Sequence, residues 1–100
     1  MPDYRLSNQA RSDLRGIARY TLETWGMEQA RRYTDSLLGC FQKIAGAPLI
    51  GRPCDRVQKG YHRFEHGRHV IFYRPDQNGV FIARILHQRM MPSSLQLEDR

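Results

Sequence analysis

The hydrophobic pattern of this chain changes period once, and that change restricts its fold more than any other feature. From residue 10 to 25, and again from 30 to 44, apolar side chains recur at the spacing of one helix face. Ser7 can cap the first helix through its hydroxyl, and Gly26 is suited to end it. Two helices with so short a junction must run antiparallel, so the first half of the chain predicts an αα-hairpin.

The second half of the chain has the alternating pattern of β-strands. Residues 47–60 contain Pro or Gly at four positions and are predicted to be a loop. Strands are predicted at 61–65, 69–73 and 80–87, with a short opening strand at 4–6. Strand 80–87 is apolar on both faces apart from one arginine, which indicates a central position in its sheet. The predicted order is β-α-α-β-β-β, an α+β fold with the N-terminal αα-hairpin packed on a small, antiparallel-rich sheet.

A chain of 100 residues has room for one hydrophobic core, so we predict a single domain over residues 1–100. Residues 91–100 have weak periodicity and are predicted to be a flexible C-terminal tail. The strand aromatics fall on alternate parities, so we expect them to fill the core and not to form one stacking surface for nucleic acid. The residues expected in the core between hairpin and sheet are Leu14, Ile17, Leu37, Phe41 and Ile44.

The charge of the chain is strongly basic and favours an acidic partner. Sixteen Lys and Arg oppose ten Asp and Glu, and fourteen of the sixteen are Arg. Residues 52–91 alone carry eight cations against three anions. Arginine forks suit carboxylates and phosphates, so the partner is expected to be anionic.

Other features exclude several classes of protein. No apolar run is long enough to span a bilayer, and the N-terminus has no apolar signal segment. We therefore expect no membrane association and a reduced, cytoplasmic protein. Cys40 and Cys54 are too few for a disulfide scaffold and have no metal-ligand spacing, while His66 and His69 have no acidic residue to complete a ligand set. No metal or cofactor is predicted.

The histidine at the end of the last strand is the one candidate for catalysis. His87 could act as an acid or base on a phosphodiester, with Arg63, Arg68 or Arg84 stabilising the charge that develops. A histidine at a strand end is more often a surface or interface residue, so both interpretations stay open. Beside it, Met90 and Met91 follow the basic strand end, a combination typical of adaptable protein interfaces.

Taken together, these motifs resemble the ParE toxins of the RelE/ParE superfamily over nearly the whole chain. In the first half the resemblance lies in Leu6-Ser7, Ala10, Asp13-Leu14, Ile17, Tyr20-Thr21, Trp25-Gly26, Gln29-Ala30 and Tyr33. In the second half it lies in Pro48, Gly51-Arg52, Gly60-Tyr61, the run 67–74, Ile85-Leu86-His87 and Met90. The resemblance implies the toxin of a type II toxin–antitoxin pair, held in a hetero-oligomer by an acidic, ParD-like antitoxin.

The resemblance also separates two modes of action. ParE-type members are thought to poison DNA gyrase, whereas RelE-type members cut mRNA on the ribosome with an arginine in the middle strand and an acid or base near the C-terminus. Here the middle strand reads Val70-Ile71-Phe72 and the end reads Gln88-Arg89-Met90, which leaves His87 alone. We therefore expect a non-enzymatic gyrase inhibitor, with a ribosome-dependent endoribonuclease using His87 as the alternative. The residues expected to bind antitoxin or target are Arg63, Arg68, His69, Arg84, His87, Arg89, Met90 and Met91.

Overall fold

The computed structural model describes residues 3–90 as two helices packed on a five-stranded mixed sheet. Its elements are β1 (Asp3–Leu6), α1 (Asn8–Trp25), α2 (Met27–Gly46), β2 (Arg52–Pro53), β3 (His62–His66), β4 (His69–Asp76) and β5 (Gly79–His87). The strand order is β1-β5-β4-β3-β2, with β1 parallel to β5 and the other pairs antiparallel. The α+β class and the order of the predicted elements are confirmed. Met91 and the predicted tail at 91–100 lie outside the described residues.

The loop prediction for residues 47–60 is wrong at one point, because β2 lies within it. Arg52 and Pro53 pair with β3 and add a two-residue edge strand. A proline is tolerated there since an edge strand needs no N–H on its outer side. The preceding turn is fixed by Tyr73, whose hydroxyl donates to Pro48 O at 2.7 Å and accepts from Gly51 N at 2.9 Å.

Ser7 fixes the start of α1 against the sheet. Its Oγ accepts a hydrogen bond from Ala10 N at 2.9 Å, as the cap prediction requires, and donates to Ala83 O at 2.6 Å. The junction of the helices is the single residue Gly26. Its φ of 96° lies in a region that glycine adopts at little steric cost. Ser7 therefore fixes the start of α1, and Gly26 allows the sharp turn at its end.

The helix-facing side of the sheet carries the larger core. Leu37, Phe41 and Ile44 of α2 are fully buried there against strand residues such as Ile71 and Ile82. The predicted core residues of α1 are also in this cluster, although Leu14 and Ile17 are half-buried at its margin. Core placement is therefore confirmed for α2 and shallower than expected for α1.

The opposite face of the sheet is covered by the chain between β2 and β3. Cys54, Val57 and Tyr61 pack there on Val70 and Phe72. The two faces thus divide the strand aromatics between them, as their parity predicted, and both cysteines are buried and free. β5 lies between β1 and β4 and is buried on both faces, which confirms its central position.

Candidate functional site: a groove beside the helix hairpin

A groove of about 800 Å³ runs between the hairpin and the end of β5. Its walls come from one side of α1, the beginning of α2, the β3–β4 turn and the last residues of β5. The lining residues are Ser12, Asp13, Gly16, Ile17, Tyr20, Thr21, Trp25, Gln29, Tyr33, Gly67, Arg68, His69, Arg84, Ile85, Leu86, His87 and Met90.

The α1 wall leaves large apolar groups open to solvent. Tyr20 is 67% exposed and Trp25 is 64% exposed, and Met90 across the groove is 62% exposed. The helical period predicted from the sequence ran to residue 25, and the core residues predicted on α1 were Leu14 and Ile17. Trp25 is the last residue of α1, and its side chain stays mostly exposed there.

A bulge in β5 brings charge to the floor of the groove. Phe72 pairs with Arg84 but Tyr73 pairs with Ile82, so Ala83 is an extra residue on β5. Past this bulge, Arg84 reaches Asp13 of α1 through Nε–Oδ2 at 2.8 Å and Nη2–Oδ1 at 3.0 Å.

Asp13 also accepts a backbone hydrogen bond from Ile85 N at 3.0 Å. One carboxylate therefore joins α1 to β5 by three hydrogen bonds. The guanidinium of Arg84 is committed to this bridge, which makes it a structural part of the groove.

Three histidines and a tyrosine cluster at the other end of the groove. Tyr33 Oη lies 2.6 Å from His69 Nδ1 and donates to His66 O at 3.3 Å. His66 Nε2 lies 2.9 Å from Ser36 Oγ, and the His69 and His87 rings meet edge to face with centroids 5.6 Å apart. We call Tyr33, His66, His69 and His87 the histidine cluster.

The environment of His69 favours the neutral state of its imidazole. Burial lowers the pKa of the His69 imidazole, and the neighbouring His87 and His66 lower it further. Burial likewise raises the pKa of the Tyr33 phenol. His69 is therefore uncharged at neutral pH, and its ring is available for hydrogen bonding to a partner's polar group.

The residues predicted from the sequence divide between two places. Arg68, His69, Arg84, His87 and Met90 all line the groove. Arg63 lies elsewhere, on β3 beside the chain that covers the far face, and pairs with Glu65 at 3.4 Å.

Arg89 comes two residues after His87 in the chain and is exposed. Its backbone N–H donates a hydrogen bond to His87 Nδ1 at 3.1 Å. Arg89 does not line the groove. A role in binding stays a prediction for every one of these residues, and Met91 lies outside the described part of the chain.

Sequence reasoning missed the hairpin side of the groove, namely Ser12, Gly16, Tyr20, Trp25, Gln29 and Tyr33. Two signals in the sequence point to it. Trp25 stands next to the glycine that ends α1, so it lies at the end of the helix. Gly16 lies within the helix, at a position where alanine would be the better helix former. The neighbours that the fold gives to His87 could not be read from spacing, because Tyr33 is more than fifty residues away.

Residues 3–90 lack two features that would have indicated other kinds of function. No helix there is long and apolar enough to cross a membrane. Over the same span, no three His, Cys, Asp or Glu side chains are grouped so that they could hold a metal ion.

Two solved structures with this fold come from toxin–antitoxin systems. One is a chain of a chromosomal ParDE toxin–antitoxin system from P. aeruginosa, with a TM-score of 0.72 and 17% identity over 87% of this chain and 96% of that one. Another is from the toxin–antitoxin complex RelBE2 of Mycobacterium tuberculosis, with a TM-score of 0.66 and 23% identity over 87% and 99% of the two chains. At these identities the likeness establishes the fold.

Sequence comparison identifies the family within that class. Residues 4–92 match the family described as the ParE toxin of the type II toxin–antitoxin system parDE. Toxin ParE1 of Caulobacter vibrioides is 42% identical over 90% of this chain and 93% of its own length. Toxin ParE1 of Mycobacterium tuberculosis is 39% identical over 87% and 90%, and Toxin ParE of Escherichia coli is 31% identical over 90% and 88%. The chain belongs to the ParE family of type II toxins.

Proposed function

We propose that this toxin acts in the cytoplasm by inhibiting DNA gyrase, without catalysing a reaction itself, and that an acidic ParD-like antitoxin neutralises it in a hetero-oligomer. The observation that carries the proposal is the family match over residues 4–92, since that family is defined by parDE systems. The 42% identity to a ParE1 toxin over nearly the whole chain supports the same assignment.

The groove supports an antitoxin that binds as an amphipathic, acidic segment. Apolar anchors are offered by Tyr20, Trp25 and Met90, which are exposed around one hollow. The exposed Arg68 lies on the opposite wall and can pair with a carboxylate. Burial of the apolar groups would supply most of the affinity, and opposite charges would speed the encounter.

The middle of the sheet supports a mode of action without RNA cleavage. Val70, Ile71 and Phe72 occupy the stretch of β4 in which the mRNA-cutting relatives carry an arginine, and all three are buried. This part of β4 presents no cation to a phosphodiester, so the electrostatic stabilisation that cleavage requires has no source there.

The histidine cluster favours the endoribonuclease as a second candidate. The His87 ring contacts the His69 ring, and His69 is hydrogen-bonded to the Tyr33 hydroxyl. Arg68 lines the same groove. In that mechanism one imidazole would accept the proton of the attacking 2′-hydroxyl, and the bond from phosphorus to the 5′-oxygen would break as a protonated imidazole gives that oxygen a proton. Arg68 would stabilise the negative charge on the phosphoryl oxygens.

The two candidates are separated by assaying the purified toxin in parallel on gyrase-driven DNA supercoiling and on mRNA in translating ribosomes. We expect dose-dependent loss of supercoiling, relieved by the cognate antitoxin, and no cleavage of mRNA. The variant His87→Ala should still inhibit supercoiling. Codon-dependent cuts that disappear in His87→Ala, with supercoiling unaffected, would establish the second candidate and refute the first.

The groove is tested through the single tryptophan of the chain. Because Trp25 is exposed in the groove, docking of the antitoxin should shift its fluorescence to shorter wavelength. Trp25→Ala should weaken antitoxin binding at least tenfold by calorimetry. The matched control is Leu49→Ala, which removes an exposed apolar side chain away from the groove and should leave the affinity unchanged. Equal losses in both variants would contradict docking in the groove.

A further inference from the structure

The side of α1 turned away from the groove carries a stripe of arginine. Arg11, Arg15 and Arg19 are spaced by four residues, and all three are exposed. They precede the groove residues at 12, 16 and 20 by one position, which turns them by about 100° around the helix axis. At about 1.5 Å per residue the stripe is about 12 Å long. We call these three residues the arginine stripe.

The arginine stripe opposes the stability of its own helix. Like charges at i and i+4 repel each other on a helix surface. Arg11 also lies in the first turn, where the helix dipole disfavours a cation, while Glu23 lies near the C-terminus, where an anion is disfavoured.

Glu23 lies four residues after Arg19 on the same helix, but within residues 3–90 it is not close enough to form an ion pair with the stripe. Among residues 3–90, none of the three guanidinium groups forms an ion pair with a carboxylate. The arrangement is therefore better explained by an anion outside the chain than by the needs of the helix.

The surroundings of the stripe favour a phosphate backbone over an acidic protein. A protein partner is anchored by buried apolar and aromatic groups, and on α1 the exposed aromatics Tyr20 and Trp25 belong to the groove. Beside the stripe the exposed apolar group is Leu22. A single strand would be held by stacking of its bases on aromatic rings, which this side of α1 does not provide. Duplex DNA carries a charge every ~1.7 Å, or about seven charges along the stripe.

We propose that the arginine stripe of α1 binds the phosphate backbone of duplex DNA, without reading its sequence. The choice of DNA among polyanions rests on the proposed action on gyrase, an enzyme that works on duplex DNA. Because the stripe and the groove lie on different sides of α1, the toxin can contact DNA without using the residues that we assign to the antitoxin.

The experiment measures binding of the purified toxin to a labelled 20-base-pair duplex by fluorescence anisotropy at several salt concentrations. The variant is Arg11→Gln with Arg15→Gln and Arg19→Gln, which removes three charges and retains good helix formers. The control removes the same charge elsewhere, through Arg31→Gln, Arg56→Gln and Lys59→Gln, all exposed. Thermal unfolding confirms that both variants are folded.

We expect the stripe variant to lower the slope of log affinity against log salt by about 2 to 3, because each phosphate contact contributes about 0.9. Its affinity at 0.15 M salt should fall at least tenfold, uniformly across DNA sequences, and the control should lose less than half as much. Equal losses in both variants would overturn the proposal, since net charge alone would then explain binding. Tighter binding to single-stranded RNA, or equal displacement by polyglutamate, would also overturn it.

Its failure can be told apart from failure of the proposed function. A toxin that inhibits supercoiling but does not bind duplex DNA through the stripe refutes this inference alone. A toxin that binds duplex DNA through the stripe but leaves supercoiling unchanged refutes gyrase as the target and leaves the stripe as a DNA-binding surface.

Discussion

Asp13 links α1 to β5 through three hydrogen bonds, and its removal takes an acceptor from both a guanidinium and a backbone N–H. In Asp13→Ala, the half-buried guanidinium of Arg84 loses its carboxylate and Ile85 N loses its acceptor. Hydrogen bonds to charged groups contribute about 1.5–3 kcal/mol, so we expect the free energy of unfolding to fall by about 2–3 kcal/mol. Urea denaturation measures the change.

Asp35→Ala is the control for that substitution. Asp35 is an exposed aspartate on α2, and replacing it removes the same charge. It should change the free energy of unfolding by less than about 0.5 kcal/mol, as is usual at the surface. A loss for Asp13→Ala no larger than that of the control would show that the bridge to β5 contributes nothing to stability.

His69 makes stability depend on pH near neutrality. Its folded-state pKa is lowered, chiefly by burial, so the unfolded chain binds the proton more readily. The stability that its neutral form provides is complete above the unfolded value of about 6.5 and is lost as the pH falls through the lower folded value.

The free energy of unfolding of the wild type should therefore be smaller at pH 5.5 than at pH 7.5. His69→Gln retains a hydrogen-bonding side chain without a titration, so it should flatten that dependence. Parallel pH profiles for wild type and His69→Gln would rule out His69 as the source.

At the scale of elements, the hydrophobic pattern predicts the helices and strands whose formation depends on burying their own apolar faces. The helical period fixed α1 and α2, since each buries one apolar face, and apolar residues on both faces of β5 identified a central strand. The two-residue β2 has no period to detect and exists because β3 offers it an edge.

The groove was less predictable, because its parts come from three regions that are distant in the chain: the helix hairpin, the β3–β4 turn and the end of β5. The bulge at Ala83, which brings Arg84 to Asp13, depends on the pairing of β4 with β5. Trp25 continues the helical period of α1 but stays mostly exposed, and that exposure depends on tertiary packing that no sequence period records. The groove residues that the sequence did predict, Arg68, His69, Arg84, His87 and Met90, were marked by the chemistry of their side chains.

At Gly16, the residue that would best stabilise the helix differs from the residue that would best allow a partner to bind in the groove. A β-carbon at Gly16 would meet nothing within 4 Å, so Gly16→Ala should stabilise the toxin by about 1 kcal/mol through helix propensity. Gly16 also lines the groove, where a methyl group would obstruct a partner that packs against the bare backbone. We therefore expect higher stability together with weaker antitoxin binding, by thermal unfolding and calorimetry.

Gly39→Ala provides the comparison for Gly16→Ala. Gly39 lies on α2 with open space around it and does not line the groove, so the substitution should stabilise the protein and leave antitoxin affinity unchanged. If Gly16→Ala bound the antitoxin as tightly as Gly39→Ala, close approach of a partner at Gly16 would be excluded.

At the scale of the whole molecule, the net charge of +6 should govern the rate of antitoxin association more than its lifetime in the complex. Arg68→Glu at the groove should slow association several-fold at low salt. The difference in association rate from the wild type should shrink as salt is raised, because charges farther apart than the Debye length, about 8 Å at physiological ionic strength, are screened. Met90→Ala should mainly speed dissociation, because it removes apolar contact.

Stopped-flow fluorescence of Trp25 measures both rates, and Arg31→Glu, outside the groove, serves as the control. Reversal at Arg68 should affect association more than reversal at Arg31. Association rates that are the same at low and high salt would mean that the surplus of arginine has no role in the encounter.

The pairing of β1 with β5 determines when, during its synthesis, the chain becomes a toxin. β1 is the first strand to be translated, but its neighbour in the sheet is the last, with Asp3 aligned to Gly79. The hairpin can form early because its contacts are local, whereas closure of the sheet must wait for β5 and bring together residues more than seventy positions apart. A message cut short before codon 79 would yield the helices without the closed sheet and without the groove wall at residues 84–87. If the groove binds the antitoxin as we propose, both toxicity and antitoxin binding should require synthesis of the chain past β5.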